Sequence, residues 1–183
     1  MNDDMKESLT KPNIPDRIIL GIGHTAAWLI AVLIVTILVQ VILRYVFQKS
    51  FVALEEIQWH IYAVVIMLGI SYSYVKDSHI RLDILHSRFS RPTKEKIEIM
   101  GILCFLWPMI FVFFMHSLPF VAESFRVGEV SDAPMGLGFR WMIKSIIPIA
   151  FFLLFMGSVS RLKQAIEYLK TDYLKNKKVS NGY

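Results

Sequence analysis

Long apolar runs separated by short polar stretches set the plan of this chain. A helix needs about 20 apolar residues to cross a hydrocarbon core of about 30 Å. Residues 18–43, IILGIGHTAAWLIAVLIVTILVQVIL, exceed that. Residues 57–74, IQWHIYAVVIMLGISYSY, are shorter and more polar, and residues 99–118, IMGILCFLWPMIFVFFMHSL, make a third run. The fourth, SIIPIAFFLLFMGSV at 145–159, reaches full length once 141–143 and 160–162 are added. The pattern predicts an all-α, integral membrane four-helix bundle, with helices over 18–43, 57–74, 97–118 and 143–162. The spanning domain covers 13–170, between an arm (1–12) and a tail (171–183) expected to lack fixed structure. Asn13 or Asp16 is positioned to cap the first helix, and Pro108 and Pro148 to kink the third and fourth, as membrane helices tolerate. The first run is too long for a secretory signal and has no convincing cleavage site after it, so it reads as a retained anchor.

One stretch breaks the helical pattern. In KDSHIRLDILHSR (76–88) the segment HIRLDIL alternates polar and apolar residues, as a half-buried strand does. A strand between membrane helices would have no partner for its backbone. An interfacial strip fits better, with Ile80, Leu82 and Ile84 dipping into the interface and Arg81 and Asp83 in water. Ser90 then caps a helix that has Pro92 in its first turn and Glu95 close behind. The strip is either an ordinary loop or a docking surface for a partner.

Charge orients the bundle. Of the 20 Lys and Arg, only Arg44, Lys49, Arg126, Arg140 and Lys144 belong to the two connections on one side. The other 15 lie on the side of the termini. The positive-inside rule therefore places both termini in the cytoplasm. With 55% hydrophobic and 19% charged residues, the chain is too apolar for an ordinary soluble domain. Its net charge of +5 flanks the apolar runs and forms no basic domain, which suits lipid and topology and not nucleic acid. The single cysteine, Cys104, excludes an internal disulfide or a cysteine metal cluster and is expected to be buried and inert.

The apolar runs themselves contain no Asp, Glu, Lys or Arg. Pumps and ion-coupled carriers bind their ions at membrane depth with such groups, so this chain is not expected to transport by itself. Gln40 is polar but sits near the outer end of helix one. No catalytic motif is present, and no enzyme, cofactor or metal site is expected. His60 and His116, both near outer helix ends, are the only pair that could ligate a haem. His24 lies near the inner end of helix one, and His79 and His86 in the 76–88 strip. Glu55 and Glu56 open helix two. They are there either to meet the helix dipole or to pair with Arg44, Lys49 or a partner subunit. Trp59, Tyr62 and Trp141 suit an outer aromatic belt, and Tyr72 and Tyr74 an inner one. Gly23, Ala27 and Ala31, spaced by four, form a small-residue stripe on helix one, and Gly69 with Ser73 a shorter one on helix two. Such stripes permit close helix approach in lipid, within this chain or to another.

LRYVFQKSF (43–51), the acidic pair opening helix two, and LGISYSYVKDSHIRLDIL (68–85) together resemble the small membrane (Q-type) subunit of tripartite ATP-independent periplasmic (TRAP) transporters. The residues that carry the resemblance are Arg44, Tyr45 and Phe47 after helix one, Glu56 at the start of helix two, Gly69 late in it, and His79, Ile80, Leu82 and Asp83 beyond. GLGFRWMIKSIIPIAF (136–151) is similar to the entry of the fourth helix in some members. Many members carry Asn where this chain has Leu43, and Trp just before the acidic pair, where it has Val52, Ala53 and Leu54. The resemblance implies a bacterial inner-membrane protein whose partners are a large membrane subunit and a periplasmic substrate-binding protein. In such transporters the large subunit moves a small organic solute, often a carboxylate, usually on a sodium gradient, while the small subunit braces it. A haem-anchoring subunit using His60 and His116 is the competing reading.

Overall fold

The computed structural model of the chain describes residues 13–76 and 90–180, without the side chains of 175, 176 and 178–180. Among these residues six α-helices follow in order: α1 (Ile14–Tyr45), α2 (Val52–Val75), α3 (Arg91–Gly101), α4 (Trp107–Arg126), α5 (Arg140–Lys144) and α6 (Ile146–Ser180). A π-helical turn, Ile102–Leu106, joins α3 to α4. The α3–α4 and α5–α6 pairs each act as one rod. The protein is thus an all-α bundle of four apolar rods long enough to cross a membrane. α6 packs against α1, α2, α3 and α4, and α1 also packs along α2. One end of the bundle carries the α1–α2 turn and the 127–139 loop and is called the turn end. The other, with the start of α1, the end of α2, α3 and the tail of α6, is the terminal end.

The rods outrun the apolar runs that announce them. α6 has 35 residues, about 52 Å at 1.5 Å per residue, against a core of about 30 Å. Its last turns, rich in Leu, Lys and Tyr, stay helical through Ser180, where the composition suggested a tail without fixed structure from 171. At the other terminus Asn13 takes the N-cap position in extended conformation, and Asp16 folds back to accept its backbone N–H at 3.1 Å. Both residues expected at this cap take part, Asp16 from inside the first turn.

The buried residues of α1 are Asp16, Ile19, Gly23, Ala26 and Gln40. From Asp16 to Ala26 they advance in steps of three and four, and Gln40 follows after about four further turns, which keeps them on one side of a 3.6-residue helix. A stripe stepping by four alone rotates about 40° per step, so Ala27 and Ala31 leave that side and are exposed. Only Gly23 of the stripe packs inside the chain. A Cβ there would lie 2.1 Å from Cδ2 of Tyr72. Tyr72 thus lies against α1, its ring edge-on to His24 at 6.1 Å. Gly157 does the same for α6, since a Cβ on it would meet Val75 at 3.1 Å and Ile19 at 3.3 Å. Gly69 has nothing within 4 Å of where its Cβ would be, so its own chain does not require a glycine there.

The prolines act differently from one another. Pro108, in the first turn of α4, lacks the N–H for an i−4 bond. The π turn immediately before it accommodates the change of register. Pro148 leaves the carbonyl of Lys144 without its usual amide, and the rod divides there into α5 and α6. Pro119 lies inside α4, which continues through it. The buried residues Ser71, Ser117, Ser158 and Ser160 bond locally or across helices. Ser71 donates to the Ala150 carbonyl at 3.1 Å, and Ser158 donates to the Phe155 carbonyl while accepting from Trp107 Nε1 at 3.1 Å. Such pairing is needed where no water can substitute. Cys104, expected to be buried, is exposed on the bundle surface; the side of the rod it occupies points away from the neighbouring helices.

Candidate interaction sites at the two ends of the bundle

At the turn end, α2 begins with Val52 and offers Glu55 and Glu56 in its opening turns. The two acids part company. The Glu55 carboxylate accepts from Gln40 Nε2 at 2.7 Å. Gln58 in turn donates to Gln40 Oε1 and to the Thr36 carbonyl at 3.3 Å. A short chain of amides therefore ties α1 to α2, and it explains why a glutamine is buried near the end of an apolar helix. Glu56 turns the other way and holds the 127–139 loop, accepting from the Ser131 hydroxyl and the Leu137 backbone N–H. Among the described residues neither acid makes an ion pair with Arg44 or Lys49. Arg44 and Tyr45 are exposed, Tyr45 at 76%.

The loop is built around its Glu56 anchor. Residues 133–136 (Ala-Pro-Met-Gly) make a turn closed by Gly136 N–H to the Ala133 carbonyl at 3.0 Å. Proline precedes a positive-φ residue, Met135 at 61°, the arrangement of a type II turn. Holding an ordinary side chain there costs about 1–2 kcal/mol, yet Met135 is 92% exposed. Gly136 cannot be larger, because a Cβ would meet Ser131 at 2.5 Å and Glu56 Oε1 at 2.9 Å. The loop's base is tied by Glu129, which pairs with Lys144 and, at 3.7 Å, with Arg140. The Lys144 ammonium also lies 4.0 Å over the Phe120 ring. Phe125 and Trp141 meet edge to face at 5.3 Å, closing the same corner.

The hydrogen bond from Lys144, above all, holds the Glu129 carboxyl below the usual carboxylate range, with the charge of Arg140 adding and burial opposing. A depressed folded pKa stabilises the loop base above about pH 4.3, where a free glutamate titrates. The contribution is lost as pH falls through the lower folded value. A spin label at Met135, in a chain with Cys104→Ser, should gain mobility as pH is lowered below about 4. Glu129→Gln should show the mobile signal already at pH 7. A label equally constrained at pH 3 and pH 7 in the native chain would show that Glu129 does not hold the loop.

At the terminal end, two knots fasten the rods. In the first, Asp16, only 5% exposed, accepts from the Ser160 hydroxyl at 2.9 Å and from Gln164 at 3.3 Å. Asn13 Nδ2 donates to Ser160 at 3.1 Å. The start of α1 is thereby sewn to the middle of α6. In the second, Arg161 forks onto both oxygens of Glu98 at 2.6 Å and reaches Glu95 at 3.1 Å. Arg91 lies over the Tyr168 ring at 4.8 Å. These contacts hold α3 along α6. The sequence marks Asn13 and Asp16 as caps and Glu95 as part of a helix start, but pairing residues some 65 or 145 positions apart requires the fold.

The remaining predicted positions stay apart. His116 turns Nδ1 to the Val112 carbonyl of its own helix at 2.8 Å. His60 is half-buried on α2, and the principal packed pairs do not include α2 with α4. No group of three His, Cys, Asp or Glu suited to a metal is found among the described residues. His79, Arg81 and Asp83, with the rest of the HIRLDIL strip, lie outside the described residues. Against known proteins, the chain matches, over residues 33–167, a family model described as tripartite ATP-independent periplasmic transporters, DctQ component. No curated protein matches it.

Proposed function

The chain belongs to the DctQ family of tripartite ATP-independent periplasmic transporters, and from that premise we propose that it is a static brace for the large membrane subunit, with both termini in the cytoplasm. As a small permease subunit it takes part in transport and catalyses no reaction. The observation that carries the bracing role is the distribution of polar groups. The apolar runs hold no Asp, Glu, Lys or Arg, and the contacts of charged side chains gather at the two ends, where they tie this chain to itself. A coupling ion has no charged ligand at depth. The large subunit would supply the moving, ion-binding part, and the periplasmic binding protein the solute, a small organic acid.

Faces for the large subunit are available. Ala27 and Ala31 are exposed on α1, and Gly69 leaves open space on α2; these small residues suit close helix approach by a partner. In this reading the Arg44–Tyr45 corner and the His79-to-Asp83 strip are also partner-facing. The haem-anchoring alternative gains nothing from the placement of His60 and His116.

The test has two parts. Reconstituted alone in proteoliposomes, the chain should give no sodium-driven uptake, while reconstitution with its large subunit and binding protein should restore it. Single cysteines on a Cys104→Ser background should be labelled from the periplasm at Met135 and only after permeabilisation at Lys163. Uptake by the chain alone would end the bracing role, and the reverse labelling pattern would end the orientation.

A further inference from the structure

Between α4 and α6 runs a groove of ≈390 Å³, lined by Trp107, Ile110, Phe111 and Phe114 on one side and Phe151, Phe152 and Phe155 on the other. Its volume is in the range of ligand sites, but its lining offers almost no polar surface. Phe111 and Phe152 are 63% and 53% exposed, so the groove opens sideways out of the bundle. Phe113 stacks flat on Phe151 at 5.0 Å near its turn-end limit.

The terminal end of the groove points to its occupant. Lys163 lies eleven residues beyond Phe152 on α6, about three turns and therefore on the same side of the helix, about 16 Å away. Lys96 lies eleven residues before Trp107, at about the same distance. Both lysines are exposed. Glu95 and Glu98, the acids nearest to them on α3, are taken by Arg161. Glu167, one turn farther along α6, makes no ion pair with Lys163 among the described residues. Half of a hydrocarbon core of about 30 Å is about 15 Å. An acyl chain reaching down the groove to the bilayer midplane would thus leave its headgroup level with two ammonium groups that make no ion pair among the described residues.

We propose that this groove binds one acyl chain of an anionic phospholipid, whose phosphate is held by Lys163 and Lys96. The inference rests on the proposed orientation for one point only, that the lipid comes from the cytoplasmic leaflet. A helix of the large subunit is the competing occupant. It would fill an apolar groove equally well but would bring the two lysines no counter-charge.

The experiment compares retention of phosphatidylglycerol and phosphatidylcholine by native mass spectrometry. It uses the delipidated full-length chain in detergent, alone and co-purified with its large subunit. Phosphatidylglycerol should be retained about tenfold better, an electrostatic preference of about 1.4 kcal/mol. The Lys96→Gln/Lys163→Gln double variant should bring that ratio to about one, and Phe152→Trp, which fills the groove, should lower retention of both lipids. Equal retention of the two lipids by the native chain overturns the proposal, as does a ratio unchanged in the double variant. Retention by the lone chain that disappears in the complex overturns it in favour of the large subunit. Detergent binding is blind to membrane orientation, so failure of the labelling test above would change the leaflet and leave this result intact.

Discussion

Gly23→Leu is expected to leave little stable protein in the membrane. A Cβ at this position already falls 2.1 Å from Tyr72 Cδ2 and 2.8 Å from Tyr72 Cβ. The second of these atoms moves only with the backbone of α2, so a new rotamer of Tyr72 cannot make room. α1 and α2 must separate along the face that holds Ile19, Gly23 and Ala26, loosening the contact with Gly157 on α6 as well. Overpacking of this kind costs about 1–3 kcal/mol and sometimes more, so a fall in Tm on the order of 5–10 °C is expected. Fluorescence-detected size exclusion after heating would measure it in detergent. Two controls separate the local clash from general intolerance. Gly23→Ala combined with Tyr72→Gly, which also removes that Cβ, should recover much of the loss. Ala27→Leu, one residue past the buried Ala26 and exposed, should leave the stability of the lone chain unchanged. A Gly23→Leu chain that melts with the native one would overturn the close α1–α2 contact.

Arg161→Ala is expected to be the second most damaging single change. Its guanidinium satisfies two carboxylates, forked on Glu98 and single on Glu95, whose side chain is only 10% exposed. Removing it leaves two acids near one another, one turn apart on α3, without a cation between them. Breaking a fully buried pair costs about 3–5 kcal/mol. Arg161 keeps 30% of its side chain exposed, so solvent screening reduces the figure to about 2 kcal/mol. Arg161→Lys retains the charge but loses the planar fork and should recover only part. Adding Glu95→Gln and Glu98→Gln to Arg161→Ala should restore stability, because the loss arises from uncompensated charge. Hydrogen exchange across 91–101 would report the release of α3 from α6. Unchanged protection of α3 in Arg161→Ala would mean that apolar contacts alone seat it.

The four rods were legible because membrane insertion is decided by composition over a window of about 20 residues, which needs no tertiary information. The family was legible from short motifs in a fixed order, Arg44 and Tyr45, then Glu56, then Gly69, and the family model matches the region that contains them. Packing within the rods was less so. A small-residue stripe can be read at spacing four or at alternating three and four, and the two readings diverge after one turn. That is why Gly23 lies between helices while Ala27 and Ala31 face outward. Prolines were legible as interruptions but not in kind: Pro108 follows a π turn, and Pro148 lies where the rod divides into α5 and α6.

By itself the sequence determined that this is a membrane bundle of four apolar rods and which transporter family it belongs to. These depend on apolar length, charge placement and motif order, all of which are local in the chain. Only the tertiary structure decided what each polar residue does. It sends Glu55 to Gln40 and Glu56 to the 127–139 loop, although the two are neighbours and alike. It joins Asp16 to Ser160 and Arg161 to Glu98. The reason is physical: a hydrogen bond is set by distances of about 3 Å between side chains, and helix register and rotation bring those atoms together across long stretches of chain that carry no trace of the partner.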